Sequence, residues 1–437
     1  MQKHTFIIKF NKSVIHERKD NNKLILKPTI LKDGFLNNFN YYSIVDDDLL
    51  TMKNQLINCQ NLTGICYVEE ADNLPLDELQ RLVDKINSYD FVEYAYIEHT
   101  DTPPPFRQLL DNKTEQIYNT PNFNPLQGYQ GGTTSNHIGI DIEYAWSLGI
   151  VGQGIRCADI EGGFDFEHVN LQRKSFINLS PEYPLKNEHG TAVAGIMYAK
   201  DMGLGIKGLV HGADTFYGVS EAPAGRVNGI AKALKYLRAG DVFIYELQSM
   251  GPRNKYVPAD YQKAVWDITK EATDAGIIVI MAAGNGAEDL DHKLYSEYRN
   301  RNDDGDNGAI RVGAGDKKYL IPTDFTTYGS MIHVQGWGLN VVTTGYNDLY
   351  NTGEHNNYTH TFSGTSSATP IVASAVVAIQ SWYKQNIGEV IKPKDMRSLL
   401  IETGTPQGYH QTSNKWINIG PLPNVRRAIS TLQRRLQ

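Results

Sequence analysis

The sequence predicts an α/β fold, a doubly wound and mostly parallel sheet with helices on both faces, preceded by a small α+β domain. From about residue 140 onward, short apolar runs such as IIVIMAAG alternate with amphipathic helical patterns such as DYQKAVWDITKEATDAG. This alternation is typical of βαβ units, which build parallel sheets covered by helices on both faces. Ligands of such folds bind at the carboxyl ends of strands, so functional residues are expected there.

Residues 1–100 have a different pattern, which predicts the smaller domain. HTFIIKF, TGICYVEEA and DFVEYAYIEH read as strands, and LPLDELQRLVDKINSY reads as an amphipathic helix. The three prolines in TDTPPPF favour extended backbone and mark a boundary. We therefore predict an α+β domain at 1–100, an irregular proline-containing linker at 101–138 and the larger domain at 139–437.

The composition indicates a globular protein and excludes several classes of partner. Of 437 residues, 41% are hydrophobic and 21% are charged, and the net charge is −7. An acidic chain has no basic footprint for nucleic acid or for an anionic membrane, so neither is expected as a partner. The N-terminus has no apolar core of the about 7–15 residues that a signal peptide needs. We expect a cytoplasmic protein, or one exported by a route without a cleavable signal peptide.

Four short segments carry catalytic residue types at predicted strand ends or helix starts. They are DIEGGFDFEHVNL (159–171), NEHGTAVAGI (187–196), AAGNG (282–286) and SGTSSATP (363–370). Together they resemble the subtilisin-like serine proteases, peptidase family S8, whose acid, histidine and serine follow in that chain order. The resemblance covers about residues 139–425. It implies a subtilisin-like fold and a serine endopeptidase that hydrolyses polypeptides through an acyl-enzyme.

The resemblance also assigns roles to individual residues. In Gly-Thr-Ser-x-Ala-x-Pro the family's nucleophile matches Ser366, and Ser367 fills the variable position. An alcohol at a helix start lies near free backbone N–H groups and the positive end of the helix dipole. His189 matches the base that a free alcohol requires. Asn285 and the Ser366 N–H would bind the oxyanion.

The acid departs from the family's usual Asp-Thr-Gly. An ungapped match places Glu161 at that aspartate, and Asp159 lies two residues earlier on the same face, about 6.6 Å away along the strand. Glu161 is nearer the strand's carboxyl end and is our predicted acid, with Asp159 as the alternative. If Glu161 is the acid that orients the histidine, Asp159 is a buried group that needs hydrogen bonds of its own. The unusual acid leaves a second function open, a catalytically weak or silent peptide-binding or partner-binding protein kept shut by its N-terminal domain.

DVFIYELQSMGP resembles the family's edge segment, which pairs with an extended substrate as an added strand. Gln248, Ser249, Met250 and Gly251 are therefore the predicted substrate-binding residues. Glu246 in the same segment is either a structural acid or a specificity determinant.

No cofactor or metal site is predicted from this sequence. Subtilases often bind calcium, and residues 300–310 are rich in acids and glycine. Their oxygen ligands lack a recognisable ligand spacing. We interpret the segment as a solvated loop, and structural calcium is an alternative without a supporting motif.

The end of the N-terminal domain resembles the inhibitor-type prodomain of subtilases, a ferredoxin-like domain. In that family the prodomain sheet packs on the enzyme and its tail lies in the substrate cleft. The resemblance implies that this chain carries its own cleft-occupying inhibitor, whereas the alternative is a regulatory or partner-binding domain without an inhibitory role. Because three prolines follow the junction, we predict slow or absent cleavage there.

Overall fold

The computed structural model describes residues 4–19, 21–31, 34–45, 59–99, 120–181, 187–221, 225–409 and 417–437. The N-terminal unit is an antiparallel sheet of six strands with a helix on one face. Its elements are β1 (His4–Phe10), β2 (Ile15–Arg18), β3 (Lys23–Leu26), β4 (Tyr41–Ser43), β5 (Ile65–Val68), α1 (Leu76–Asn87) and β6 (Val92–His99).

The small α+β domain predicted for the N-terminus is confirmed. The three predicted strands correspond to β1, β5 and β6, which are neighbours in the sheet order β2-β3-β4-β5-β1-β6. The apolar face of α1 packs on alternate residues of β1, because Leu79 and Ile86 share one buried cluster with Phe6 and Ile8. The strands β2, β3 and β4 were not predicted, since each has only three or four residues.

The second unit contains the remaining described strands and helices. The strands are β7 (Arg156–Glu161), β8 (Phe176–Asn178), β9 (Thr215–Ser220), β10 (Val242–Tyr245), β11 (Gln248–Met250), β12 (Tyr256–Pro258), β13 (Ile278–Ala282), β14 (Ile310–Gly315), β15 (Val334–Trp337), β16 (Val341–Thr344), β17 (Tyr350–Asn351) and β18 (Asn357–Phe362). The helices are α2 (Glu143–Ser147), α3 (Glu188–Tyr198), α4 (Arg226–Leu234), α5 (Lys263–Asp274), α6 (Ser296–Gly305), α7 (Thr365–Ile387), α8 (Pro393–Thr403) and α9 (Val425–Arg435). None of the described helices is both long enough and apolar enough to cross a membrane.

The predicted parallel sheet is confirmed, with seven strands in the order β15-β14-β13-β10-β7-β9-β8. Every pairing in it is parallel. The chain runs from β7 to β8 and β9 on one side and then returns to β10 on the other side. The carboxyl ends of β7 and β10 therefore border the crevice where such folds place their ligands.

Side-chain alternation along the central strand sends apolar groups to both faces. Cys157 of β7 belongs to the cluster that includes α3 and α7, whereas Ala158 and Ile160 belong to the cluster that includes α4 and α5. Residues two apart on a strand share a face. Asp159 and Glu161 therefore point, like Cys157, towards the face covered by α3 and α7.

The N-terminal sheet packs against the opposite face, on helices α4 and α5. Ile7 and Tyr94 of its outer surface join the same buried cluster as residues of both helices. Two polar contacts accompany this packing. Lys9 donates a hydrogen bond of 2.9 Å to Asp267 of α5, and Asn61 donates one of 2.7 Å to Glu271.

Two features of the second unit differ from the sequence interpretation. The solvated loop predicted at 300–310 is wrong for its first half, because α6 continues to Gly305. In the described part of the predicted linker, Phe123 and Tyr129 are buried in the core of the second unit, although the backbone there is irregular. The junction with three prolines lies in residues 100–119, outside the described residues.

Candidate active site

The end of β7 and the start of α3 bring an acid and a histidine together. Oε1 of Glu161 lies 2.6 Å from Nδ1 of His189. Asn187 caps α3 by accepting the His189 N–H at 2.8 Å. A Cβ on Gly190 would lie 2.2 Å from the carbonyl oxygen of Gly163 and 3.1 Å from Cγ of Glu161. The glycine after the histidine is therefore what allows α3 to approach the acid so closely.

This pair is electrostatically coupled in a partly dry environment. The side chain of Glu161 is 4% exposed and that of His189 is 27% exposed. Burial lowers the pKa of His189, but the Glu161 carboxylate raises it by more, so the pKa lies above its ordinary value. A carboxylate on Nδ1 holds the ring in the tautomer whose Nε2 can accept a proton. The arrangement therefore suits a general base.

An aromatic ring that was not predicted from sequence completes the support of the imidazole. The ring of Phe362 packs edge-on against His189, with ring centroids 5.4 Å apart. Phe362 is buried and is the last residue of β18. This strand therefore passes beside His189 just before α7 begins. The only sequence signal was its place four residues before Ser366.

The two adjacent serines at the start of α7 have different surroundings. Ser367 is fully buried, and its hydroxyl donates to the carbonyl oxygens of Trp337 and Gly364 at 2.8 and 3.0 Å. The Ser366 hydroxyl instead lies near the Glu246 carboxyl and lowers its pKa, although no hydrogen bond of ordinary geometry joins the two groups. It makes no hydrogen bond to His189 in this structure, and such catalytic contacts commonly tighten only when substrate binds. Ser366 is therefore the serine whose hydroxyl is not committed to the backbone.

Asn285 follows β13 and joins that strand's end to the start of α7. Its Oδ1 accepts the backbone N–H and the hydroxyl of Thr365, at 2.9 and 3.1 Å. The amide nitrogen is thereby left for another acceptor. A Cβ on Gly364 would lie 3.3 Å from Nδ2 of Asn285 and 3.6 Å from the backbone N of Ser366. Both donors border the same small space, which is the arrangement that binds an oxyanion.

Filling this space is expected to impair catalysis. Gly364 has a φ of +114°, so Gly364→Ala introduces backbone strain of about 1–3 kcal/mol and places a methyl group beside both donors. We expect kcat for peptide hydrolysis to fall by about 10²–10³-fold, the effect of losing an oxyanion donor. Steady-state kinetics and denaturant unfolding measure the two effects separately.

Gly388 provides the matched control for that substitution. It ends the same helix with a φ of +82°, and a Cβ there would meet nothing within 4 Å. Gly388→Ala should therefore reduce stability while kcat stays within about twofold. Equal losses of kcat in the two variants would show that the effect of Gly364→Ala is strain alone.

The alternative acid, Asp159, does not contact His189. Asp159 is fully buried, and neither of its carboxyl oxygens has a hydrogen-bond partner among the described residues. Burial, followed by the charge of Glu161, raises the pKa of Asp159 well above its ordinary value. The expectation that Asp159 would have hydrogen bonds of its own is therefore wrong.

The predicted substrate-binding segment forms β11, which pairs with β12 as a two-stranded ribbon. The side chain of Gln248 accepts the backbone N–H of Asn285 at 3.0 Å, which connects the ribbon to the oxyanion donors. The Ser249 hydroxyl donates to Ala259, and the Gly251 N–H donates to Lys255. Met250 is half-buried. The substrate-binding role of this segment stays a prediction.

Within the described part of the chain, no three His, Cys, Asp or Glu side chains come together as a group that could hold a metal ion. The structure thus adds no support for the calcium alternative.

A parallel sheet with a carboxylate–imidazole pair at the end of its central strand, beside the start of a long helix, is the architecture of the subtilisin-like serine peptidases. The chain belongs to the Subtilase family, whose model matches residues 136–416. It is therefore a serine peptidase by family, as the sequence predicted.

Curated relatives agree with this assignment, and a solved structure shares the fold. The chain is 27% identical over 374 residues to the thermostable alkaline protease of Halalkalibacterium halodurans, covering 83% of this chain and 93% of that protein. It is 24% identical over 341 residues to the minor extracellular protease Epr of Bacillus subtilis, covering 77% of this chain but only 46% of Epr. The structure of fervidolysin from Fervidobacterium pennivorans, a keratinolytic enzyme related to subtilisin, shares the fold. That match has a TM-score of 0.58 and 16% identity, and it covers 98% of this chain and 61% of fervidolysin.

Proposed function

We propose that the chain is an endopeptidase that hydrolyses peptide bonds through an acyl-enzyme. Ser366 attacks the scissile carbonyl, and His189 takes the hydroxyl proton and later gives it to the leaving amine. Glu161 holds the imidazole and stabilises its protonated form. Asn285 and the Ser366 N–H donate to the oxyanion. The observation that carries the proposal is the 2.6 Å contact between Glu161 and Nδ1 of His189.

The experiment that tests this proposal is covalent labelling of the full chain with an alkyl fluorophosphonate. This probe reacts with an activated serine, and mass spectrometry of the digested protein locates the modified residue. We expect a single adduct on Ser366, together with hydrolysis of an unfolded protein substrate. Failure to react and to hydrolyse, both in the wild-type chain and in a variant whose N-terminal domain no longer docks, would favour the catalytically silent, partner-binding alternative.

We also propose that the N-terminal domain inhibits the peptidase by occupying its cleft. The contact nearest the site supports this role. Glu98 near the end of β6 is 1% exposed and accepts the Arg226 N–H at the start of α4, at 3.1 Å. The Arg226 guanidinium donates to the Gln248 carbonyl at 3.0 Å and to the Ser249 hydroxyl at 3.1 Å. The domain's last strand is thus connected through one arginine to the predicted substrate-binding segment. The tail that would occupy the cleft lies outside the described residues.

Weakening this interface is expected to activate the full chain. Asp267 accepts from Lys9 at 2.9 Å and from Tyr94 at 3.1 Å, and the side chains of the ion pair are only 10% and 12% exposed. The substitution Asp267→Lys replaces this ion pair by two positive charges, those of Lys9 and of the new lysine, which repel each other. Disrupting a buried interfacial charge pair costs about 2–5 kcal/mol, so we expect the initial rate of peptide hydrolysis to rise at least about tenfold.

The control lies on the same helix. Among the described residues Asp274 forms an ion pair with Lys270 alone, and its side chain is 55% exposed, so Asp274→Lys should leave the rate unchanged. An unchanged rate in Asp267→Lys, with demonstrable loss of domain docking by limited proteolysis, would contradict the inhibitory role.

A further inference from the structure

Three buried carboxylic acids face the side of the sheet that carries the candidate nucleophile. Asp159, Glu161 and Glu246 are 0%, 3% and 7% exposed, respectively. Glu161 is paired with His189. No oxygen of Asp159 or Glu246 has a hydrogen bond of ordinary geometry among the described residues. Two ionised carboxylates without donors would be very unfavourable in a buried site, so their protonation state needs a physical account.

The sheet register explains why these acids meet. The parallel pairing of β10 with β7 matches Ile244 to Asp159 and Tyr245 to Ile160, which brings Glu246 level with Glu161. Ile244 packs in the cluster that includes α3 and α7. By strand alternation Glu246 points the same way. All three carboxyls therefore face the side of the sheet that carries His189 and Ser366.

Among the described residues, few charges of opposite sign face this group. From α3 the imidazole of His189 reaches it, and that ring contacts Glu161. On α4, the guanidinium of Arg226 contacts Glu98, Glu221, Gln248 and Ser249. From α7 the cluster meets the Ser366 hydroxyl. One imidazolium can balance one carboxylate, and that one is Glu161.

The remaining two acids are held neutral by their surroundings. Burial raises the pKa of Glu246 well above its ordinary value, and negative charge on Asp159, once that group ionises, or on Glu161 raises it further. Asp159 is shifted in the same direction. A protonated carboxyl has an O–H donor. A neutral acid can therefore donate a hydrogen bond to a neighbouring acceptor, which a carboxylate cannot do.

We propose that Glu246 is a further catalytic residue, a neutral carboxylic acid that contacts the Ser366 hydroxyl and is held in that state by Asp159. This inference rests on the proposed function of Ser366. While neutral, Glu246 can hydrogen-bond to the hydroxyl without adding negative charge where the alkoxide and oxyanion develop. Once ionised, it opposes that charge and competes with His189 for the hydroxyl proton. Activity should consequently fall on the alkaline side as Glu246 loses its proton.

The protonation state can be tested in the full chain without any activity measurement. Infrared spectra at about pH 7, where exposed carboxyls are ionised, should show the C=O band of buried carboxylic acids. The Glu246→Gln and Asp159→Asn variants should each lose part of this band. Glu221→Gln, which alters a buried acid already paired with Arg226, should not. Identical carboxylic-acid bands in the wild-type and Glu246→Gln chains would overturn the proposal.

The catalytic role is tested by the pH dependence of fluorophosphonate labelling of Ser366, from about pH 6 to about pH 10. Glu246→Gln should move the falling alkaline limb to higher pH or remove it. Asp159→Asn should move it to lower pH, because the negative charge that Asp159 gains when it ionises, and that opposes ionisation of Glu246, is lost. A merely structural role would change the rate equally at every pH.

The two proposals fail in different ways. A wild-type chain labelled at Ser366 whose alkaline limb is absent, or is unmoved in Glu246→Gln, overturns this inference and leaves the proposed function standing. A chain not labelled at Ser366 at any pH contradicts the proposed function. The infrared bands then still test whether Asp159 and Glu246 are protonated.

Discussion

Ser366→Ala is expected to abolish fluorophosphonate labelling and to lower kcat for peptide hydrolysis by on the order of 10⁶-fold. The reason is that Ser366 starts α7 beside the two oxyanion donors, with a hydroxyl that makes no hydrogen bond to the backbone. The fold should survive, because only one small side chain is removed and its hydroxyl makes no hydrogen bond of ordinary geometry among the described residues. Labelling, single-turnover hydrolysis and circular dichroism of the purified variant measure these three outcomes.

The neighbouring serine provides the control. Ser367 donates to two backbone carbonyls, so Ser367→Ala should reduce the free energy of unfolding by about 1–2 kcal/mol. Its kcat should stay within a few-fold of the wild-type value. A Ser366→Ala chain that still reacts with the probe, or a Ser367→Ala chain that does not, would show that the nucleophile has been assigned to the wrong hydroxyl.

The fold was predictable because the parallel strands are buried on both faces. Such strands appear in the sequence as short, continuous apolar runs, and five residues of β13 are all buried. The short strand β8 lacked this signal, since only one of its three residues is buried. The strands β2, β3 and β4 of the N-terminal sheet were missed because each has only three or four residues.

The candidate site was only partly predictable because its geometry depends on contacts between distant segments. A period of two places Asp159 and Glu161 on the same face, so strand geometry alone cannot choose between them. The choice depends on how closely α3 approaches the strand end, and Gly190 controls that distance. Glu246 stood out in the sequence, but its surroundings follow from the pairing of β10 with β7. Phe362 carried no signal beyond its place four residues before Ser366, because an aromatic residue at a strand end is ordinary.

The choice between the two acids leads to the second large effect, Glu161→Gln. An amide keeps the size of the side chain but removes the charge that orients and stabilises the imidazolium. We expect kcat to fall by on the order of 10⁴-fold, as for the loss of a triad acid. Glu161→Asp, one methylene shorter, should recover part of this loss because it restores the charge.

The pH dependence of this variant has a definite sign. In the wild-type chain the pKa of His189 is raised, so kcat/KM should fall as the pH decreases through that value. Without the Glu161 carboxylate, burial alone acts and lowers the pKa of His189, so the acid limb of Glu161→Gln should move to lower pH.

The pair of Glu161 and His189 also stabilises the fold, fully below about pH 6.5 and progressively less as the pH rises through the raised pKa of His189. Glu161→Gln should therefore destabilise the protein more at about pH 5.5 than at about pH 9.

Asp159→Asn separates the two acids experimentally. If Glu161 holds the imidazole, Asp159→Asn leaves the acid limb of the kcat/KM profile in place, because Asp159 does not contact His189. If the acid limb moves in Asp159→Asn and not in Glu161→Gln, then Asp159 rather than Glu161 is the acid that holds the imidazole. Because both substitutions replace a buried acid on the same strand by its amide, a general loss of stability cannot mimic this difference in pH dependence.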